Sequence, residues 1–177
     1  MADFKDTILK LSPEATFGVS NDGITLLTVP DKDWHKVAMT LRDDSNAAFD
    51  FLTTIVGMDW KDSMGCIYYL SSTSRGNEML AVKVTATGDR EKPMIHSVSD
   101  LWAIAGIFER EVYDFFGIIF INNPDMRRLF LSIDWKGFPL RKDYDANPDL
   151  NPVSTENERQ SDFTQAWMEL PDGTIEK

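Results

Sequence analysis

Cysteine is almost missing from this chain: Cys66 is the only one in 177 residues. A single thiol excludes an internal disulfide and any iron–sulfur or zinc cage built from cysteines alone. Histidine is nearly as scarce, and His35 and His96 lie too far apart in sequence for a self-contained zinc site. No apolar run approaches the roughly 18–20 residues that a membrane span needs, and the opening MADFKDTILK has no signal-peptide core. Positive charge is short as well. With 18 Lys and Arg against 29 Asp and Glu, the net charge of −11 disfavours nucleic acid or an anionic bilayer as the main partner. G-x-G-x-x-G, P-loop, G-x-S-x-G and H-E-x-x-H motifs do not occur. Apolar residues, by contrast, make up 42% of the sequence and aromatics 11%, which argues for a real core rather than disorder. The expected class is a soluble, acidic, reduced-compartment α+β protein of one domain, or of one domain plus an extension.

The periodicities then lay out the elements. Phe4, Ile8 and Leu11 predict a short amphipathic helix over residues 3–11, ended by Pro13. In TFGVSNDGITLLTV two apolar runs flank Asn21-Asp22-Gly23, a hairpin signal. Trp34, Val37, Ala38 and Leu41 predict a helix over residues 31–43, with Asp31 or Asp33 near its N-cap. AFDFLTTIV fits a short helix or a buried strand. The spacing of Phe49, Leu52 and Val56 favours the helix, with Gly57 as its cap. GCIYYLSSTSRGNEMLAVKVTAT gives the clearest hairpin, turning at Ser74-Arg75-Gly76-Asn77, and residues 95–98 could add another strand. The longest helix is expected to start at Ser99 or Asp100 and to run to Phe116. Its core stripe would be Leu101, Ile104, Ala105, Phe108, Val112, Phe115 and Phe116, with Gly117 ending it. Residues 118–144 read as ordered but irregular, and the sequence turns polar from Asp145. The expected architecture is a two-layer α+β domain over residues 1–144. Its antiparallel-rich sheet is covered on one face by the helices at 31–43 and 100–116. Residues 145–177 form an irregular C-terminal extension, partner-bound or flexible.

Two groups of residues are candidates for function. Glu109 and Glu111 fall at opposite edges of the last helix's apolar stripe, so they do not form a facing acid/base dyad. They read as solvated or salt-bridged flanks of the helix, or as ligands for basic or backbone groups of a partner or of the following loop. Arg110 points away from the core, one turn from Asp114, with which an i,i+4 pair can form. The second group is Arg127, Arg128, Lys136, Arg141 and Lys142, a basic segment interleaved with Phe130, Trp135, Phe138 and Tyr144. No glycine-rich turn into a helix accompanies it, and the overall charge opposes nucleic acid. Arginine among aromatics favours a protein interface instead. His35 reads as partly exposed, His96 as having no acid or cysteine at ligand spacing, and Cys66 as a buried small hydrophobe. No residue constellation of an enzyme stands out.

The stretch FEREVYDFFGIIFINNPDMRRLFLSIDWKGFPLRKDY resembles the 30-kilodalton-subunit family of respiratory complex I, the proton-pumping NADH–quinone oxidoreductase. Members carry Glu-Arg-Glu on a helix, then an acid, aromatics and Phe-Gly-Ile; here these are Glu109, Arg110, Glu111, Asp114, Phe115, Phe116, Gly117 and Ile118. A His-Pro-Asp-x-Arg-Arg motif follows, matched by Pro124, Asp125, Arg127 and Arg128, with Asn123 standing where the family usually has histidine. The block closes with Asp134, Trp135, Gly137, Phe138, Pro139, Leu140, Arg141, Lys142 and Asp143. About 35 residues thus keep the family's order and spacing.

The resemblance implies a non-catalytic subunit of the peripheral arm that holds no cofactor or metal itself. It would dock on the quinone-site subunit, to which family members are sometimes fused, and would meet other peripheral-arm subunits of complex I. These motif residues would form the family interface. NADH, FMN, iron–sulfur clusters and quinone are implied on partner subunits. The implied location is the cytoplasmic face of the bacterial inner membrane, reached only through the complex. The acidic N-terminus, which shows no transit peptide, favours a bacterial source over the mitochondrial matrix. Related membrane-bound hydrogenases and other-donor dehydrogenases have similar subunits. From a different class, a stand-alone enzyme binding a small anion between Glu109, Glu111 and the basic segment is the rival expectation.

Overall fold

A computed structural model describes residues 4–20 and 22–145. Within them the order is α1 (Phe4–Leu11), β1 (Thr16–Val19), β2 (Thr25–Pro30), α2 (Asp31–Asp43), β3 (Phe51–Asp59), β4 (Met64–Ser72), β5 (Glu78–Thr85), β6 (Met94–His96), α3 (Ala105–Phe116) and β7 (Ile119–Ile121). Asp3 of the first expected helix, Asn21 of the first turn and residues 146–177 of the extension lie outside the described residues.

Both expected hairpins form. β1 pairs antiparallel with β2, Gly23 supplying the positive φ (77°) between them, and β4 pairs antiparallel with β5, with Gly76 (68°) and Asn77 (61°) in the turn. One five-stranded sheet results, in the order β1-β2-β5-β4-β3, antiparallel except where β2 lies parallel to β5. Parallel pairing needs a crossover, and α2 begins it. A separate two-stranded parallel sheet joins β6 to β7, setting the backbone before α3 beside the backbone after it.

The helices pack on one sheet face. Trp34, Val37, Ala38 and Leu41 of α2 are fully buried, Trp34 lying 4.5 Å from the Tyr68 ring of β4. Phe4 of α1 meets Phe17 and Phe49 edge-on. Leu27, Cys66, Leu70, Val82 and Val84 complete this core, so Cys66 is the buried hydrophobe expected, and burial pushes its thiol pKa up. Leu26, Thr28, Ile67, Tyr69 and Lys83 are half-buried and point to the other face.

Two segments depart from expectation, β3 and α3. The segment at 51–59 is a strand, not a helix ending at Gly57. Thr53, Thr54, Ile55 and Val56 are four consecutive β-branched residues, which pack well on a pleated surface. Pairing of β3 with β4 buries Leu52, Ile55 and Gly57 in alternation, broken by a register shift at Leu52/Thr54. Gly57 is a packing gap, because a β-carbon there would collide with the Phe116 ring of α3. Asp31 and Asp33 lie in the first turn of α2, near its N-cap as expected. Pro30 occupies the N-cap without a side-chain bond, and Asp31 instead accepts the His96 backbone N–H (2.7 Å) and lies 2.9 Å from its Nδ1. Finally, α3 starts at Ala105, one residue shorter than α2. Ser97 and Ser99 bond each other (2.8 Å), Trp102 donates its indole N–H to the Asp50 carbonyl (3.2 Å), and tight turns fill residues 98–105. Ile104, expected in the core stripe, is exposed.

Candidate functional site

The site is built on α3. Its inward face carries Ala105 and Val112, as apolar spacing requires, but also two fully buried acids, Glu109 and Asp114. Each ties down a different segment of backbone.

Glu109 faces the turn before its own helix and the one after β7. Its Oε1 accepts the Val98 N–H (2.9 Å), and its Oε2 accepts the Ser97 hydroxyl (2.7 Å) and the Asn123 amide (2.8 Å). All three donors are neutral, and no cation pairs with Glu109 among the described residues. Burial raises its pKa from the ordinary 4.5, and the donors recover only part of that cost. The expectation of a solvated or salt-bridged flank therefore fails for Glu109: its carboxylate is interior and holds the backbone of its own subunit. Asn123, in the place of the family histidine, also accepts the Asp125 N–H through Oδ1 (2.9 Å), closing the turn at Pro124. Glu111 is half-buried and pairs with nothing among the described residues. The two glutamates do not converge.

Asp114 has stronger partners. Its Oδ2 accepts three successive N–H groups, from Leu129 (3.0 Å), Phe130 (2.6 Å) and Leu131 (2.9 Å), and its Oδ1 lies 2.8 Å from Nη1 of Arg128. Burial pushes this carboxyl up, but the N–H donors and the guanidinium together hold it below its ordinary 3.8. Arg128 then reaches the carbonyls of Trp135 (3.1 Å) and Gly137 (3.0 Å), so one guanidinium gathers the loop at both ends. The expected Arg110–Asp114 pair does not form. Arg110 instead donates to the carbonyls of Arg127 (3.0 Å) and Arg128 (3.1 Å) and approaches Asp125 (3.3 Å).

The far end of the loop is pinned on the sheet. Asp59, buried at the end of β3, accepts the Lys142 N–H (2.9 Å) and a two-pronged contact from Arg90 (2.9 and 2.6 Å). Arg90 continues to Asp143 (2.7 Å). The Arg90 guanidinium holds the Asp59 carboxyl well below the usual carboxylate range, despite burial. Gly117, left-handed at φ 71°, ends α3 where the Phe138 ring and the Arg141 guanidinium leave no room for a β-carbon. Arg141 donates Nε to the Phe116 carbonyl (2.6 Å) and lies 4.7 Å from the centre of the Phe138 ring, which Arg128 also approaches (5.2 Å).

Of the five expected cations, Arg128 and Arg141 are turned into this network, while Arg127, Lys136 and Lys142 face outward. Arg127 pairs with Asp125 (2.8 and 2.9 Å). Trp135 and Pro139 are half-buried; Pro124, Asp134 and Gly137 are exposed, Gly137 at φ 82°. Sequence reasoning misses Asp59, Arg90 and Ser97. Asp59 opens the turn into Trp60-Lys61, its Oδ1 accepting the Lys61 N–H (2.8 Å), and an aspartate at the end of a strand is a local signal that could have found it. His35, half-exposed, pairs with Asp100 (2.9 Å). Among the described residues no three His, Cys, Asp or Glu side chains come together as metal ligands, and no helix is long and apolar enough to cross a membrane.

Comparison with known proteins agrees with this geometry. Residues 27–149 match the family described as the respiratory-chain NADH dehydrogenase, 30 Kd subunit. The sequence is 47% identical over 152 residues to the fused C/D-type subunit of the NADH-quinone oxidoreductase of Bacteroides thetaiotaomicron, a match covering 80% of this protein and 28% of that one. It is 37% identical over 128 residues to the C-type subunit of the NADH-quinone oxidoreductase of Chlorobium phaeobacteroides, covering 71% and 76%. This protein thus spans less than a third of the length of its C/D-type relatives. Among solved structures, a component of the membrane-bound sulfane sulfur reductase, an archaeal respiratory membrane complex, shares the fold with a TM-score of 0.68 at 22% identity, over 98% of this protein and 94% of that component. The trypsin-resistant fragment (1-134) of Nqo5 matches with a TM-score of 0.56 at 25% identity, over 69% and 96%. A helix carrying Glu-Arg-Glu, an arginine-gathered loop and these matches agree: the chain belongs to the 30-kilodalton subunit family of the respiratory-chain NADH dehydrogenase.

Proposed function

We propose that this protein serves as a non-catalytic peripheral-arm subunit of a proton-pumping NADH–quinone oxidoreductase. It docks on the quinone-site subunit, and so supports electron transfer from NADH to quinone. FMN, iron–sulfur clusters, NADH and quinone belong to its partners in this reading. The complex places it at the cytoplasmic face of a bacterial inner membrane. One observation carries the proposal. The motif's buried acids and its inward arginines are spent on main-chain groups and on each other, as in a platform of fixed shape. A general acid or base needs a substrate within hydrogen-bond reach. Glu109 and Asp114 are fully buried and already hydrogen-bonded within the protein.

The test is to tag the protein in its host, purify it from mild-detergent extracts and assay NADH–quinone activity on the eluate. Cluster-bearing and quinone-site subunits with NADH-dependent activity are expected. Recovery of the tagged protein alone would overturn the proposal. The stand-alone anion-binding enzyme would then return, tested by turnover of the isolated protein and its loss in Glu109→Gln. A second reading keeps the structural role but changes the electron donor, since a sulfane sulfur reductase component has this fold. A co-purified complex that is active with another donor and inert with NADH would select it.

A further inference from the structure

We propose that Glu109 is a buried proton-binding site, and that Ser97 and Ser99 form a two-hydroxyl relay that loads and unloads it from the surface. The site is made entirely of this chain's own residues, so it stands apart from the assembly reading above. Glu109 Oε2 lies 2.7 Å from Ser97 Oγ, which in turn lies 2.8 Å from Ser99 Oγ. Both gaps are within reach of a proton transfer. Glu109 is fully buried and Ser97 nearly so, whereas Ser99 is half-buried, so the row leads from the interior outward. Hydroxyl protons rotate to suit their neighbours. With Glu109 ionised, Ser97 donates to Oε2 and Ser99 donates to Ser97. With Glu109 protonated, its O–H donates to Ser97, Ser97 donates to Ser99, and the Ser99 proton turns to solvent. Ser97 Oγ also accepts the Ser99 N–H (3.1 Å), and its second lone pair takes one O–H in either state. Loading balances. Ser99 takes a proton from a hydronium ion and passes its own to Ser97, which passes its own to Oε2, and each hydroxyl ends as it began.

The Val98 N–H and the Asn123 amide donate to the carboxyl in both states, so a proton enters without breaking the turn before α3 or the turn after β7. Burial supplies the affinity by pushing the carboxyl above its ordinary 4.5, and the charge of Asp100, next to Ser99 in the chain, pushes the same way. The charged groups around the site are engaged elsewhere. On α3, Arg110 turns to the carbonyls of Arg127 and Arg128, and Asp114 pairs with Arg128. On α2, His35 pairs with Asp100, Asp31 with His96 of β6, and Arg42 with Asp43 and the Leu101 carbonyl. Asp125, after β7, pairs with Arg127, and Asp59 of β3 with Arg90. On β4, burial first and the Glu109 charge after it push the Cys66 thiol and the Tyr68 phenol well up, so both stay neutral. The proton therefore has one place to go in this part of the interior, and a hydrogen-bonded row of hydroxyls leads to it.

The experiment is a carbon NMR titration, from acid to neutral pH, of the full-length protein isotope-labelled at glutamate Cδ. The Glu109 line is assigned by its loss in Glu109→Gln. It is expected to titrate above 4.5 and to stay a single averaged line at its midpoint, because the relay exchanges the proton quickly. Ser99→Ala keeps every bond to the carboxyl, so the midpoint should hold while the line splits in two, exchange now waiting for local opening. Ser99→Thr keeps the hydroxyl and should restore the single line. Ser97→Ala removes a donor as well as the relay, and should both raise the midpoint and split the line. Asn123→His offers Glu109 a cation and should weaken its proton affinity about tenfold. A midpoint at or below 4.5, or one that Asn123→His leaves unmoved, overturns the proton site. A line already split in the unaltered protein, an averaged line in both alanine variants, or a split line in Ser99→Thr overturns the relay.

Discussion

Glu109 and Asp114 sit five residues apart on one helix, are equally buried, and each fasten a flanking segment to α3, yet their electrostatics are opposite. Glu109 is surrounded by neutral donors, so the cost of burying a charge is only partly offset and its pKa rises. Asp114 adds a guanidinium to three N–H groups, and the ionised form wins. The N-terminal end of α3 is thus held by a carboxylate that would be easier to keep protonated, and the C-terminal end by one that must be charged. Burial alone does not determine what an acid does; the sign and number of its donors do.

The largest expected effect follows from removing the charged anchor. Asp114→Ala leaves Arg128 and three loop N–H groups without their acceptor, and should cost about 3–5 kcal/mol of folding stability, read by urea denaturation. The loop should also become cleavable near residues 129–131 in limited proteolysis. A loss below about 1 kcal/mol would mean that the loop is held by its aromatics instead. Next comes Gly117→Ala, which combines a left-handed φ of 71° with a collision against Phe138 and Arg141. About 1–3 kcal/mol should be lost, and the Asp114 end should loosen while the Glu109 end stays protected in hydrogen exchange.

Glu109 is expected to do less, and with a pH signature of its own. Its folded pKa lies above the unfolded 4.5, so in that window the native state binds more protons and its stability falls as pH rises. Asp114 has the reverse sign: its contribution is present above 3.8 and is lost as pH falls through its lower folded value. Glu109→Gln keeps one acceptor oxygen and should cost about 1 kcal/mol near pH 4. That gap should narrow as pH rises above 4.5, because the variant has no charge to bury. Urea titrations from acid to neutral pH decide it, and a constant gap would contradict the uncompensated charge.

Much of the scaffold could be read from local pattern, and little of this contrast could. The turn at Arg75-Gly76-Asn77 and the Trp34–Leu41 stripe announce themselves because hairpins and amphipathic helices are properties of neighbouring residues. β3 was obscured because Phe49, Leu52 and Val56 imitate a helical repeat, although Phe49 precedes the strand and Val56 faces away from the core. Glu109 looked like a surface residue because its donors, Ser97 and Asn123, come from two other segments. The i,i+4 rule paired Asp114 with Arg110, whereas a reversal of the backbone at Pro124 brings Arg128 to it instead. Family resemblance did mark the motif residues, but it assigned them to an interface without separating those that hold the loop from those that face out.

The smallest expected effect tests that separation directly, on two adjacent arginines. Arg128 has a side chain only 14% exposed and bonds Asp114 and two loop carbonyls. Arg128→Ala should therefore follow Asp114→Ala, with a loss of about 3 kcal/mol or more. Arg127 stands in solvent, where its contact with Asp125 is screened and Arg110 remains to neutralise that acid. Arg127→Ala should leave the urea midpoint of the isolated protein unchanged within error. If instead both variants lost stability alike, the loop would be a single ion-pair network, and no outward-facing set of charges would remain for a partner to meet. If Arg127→Ala is silent in isolation but lowers retention of the protein in the assembled complex, the same motif has been divided between two tasks. One arginine would then set the shape of the loop, and its neighbour would present that shape to the outside.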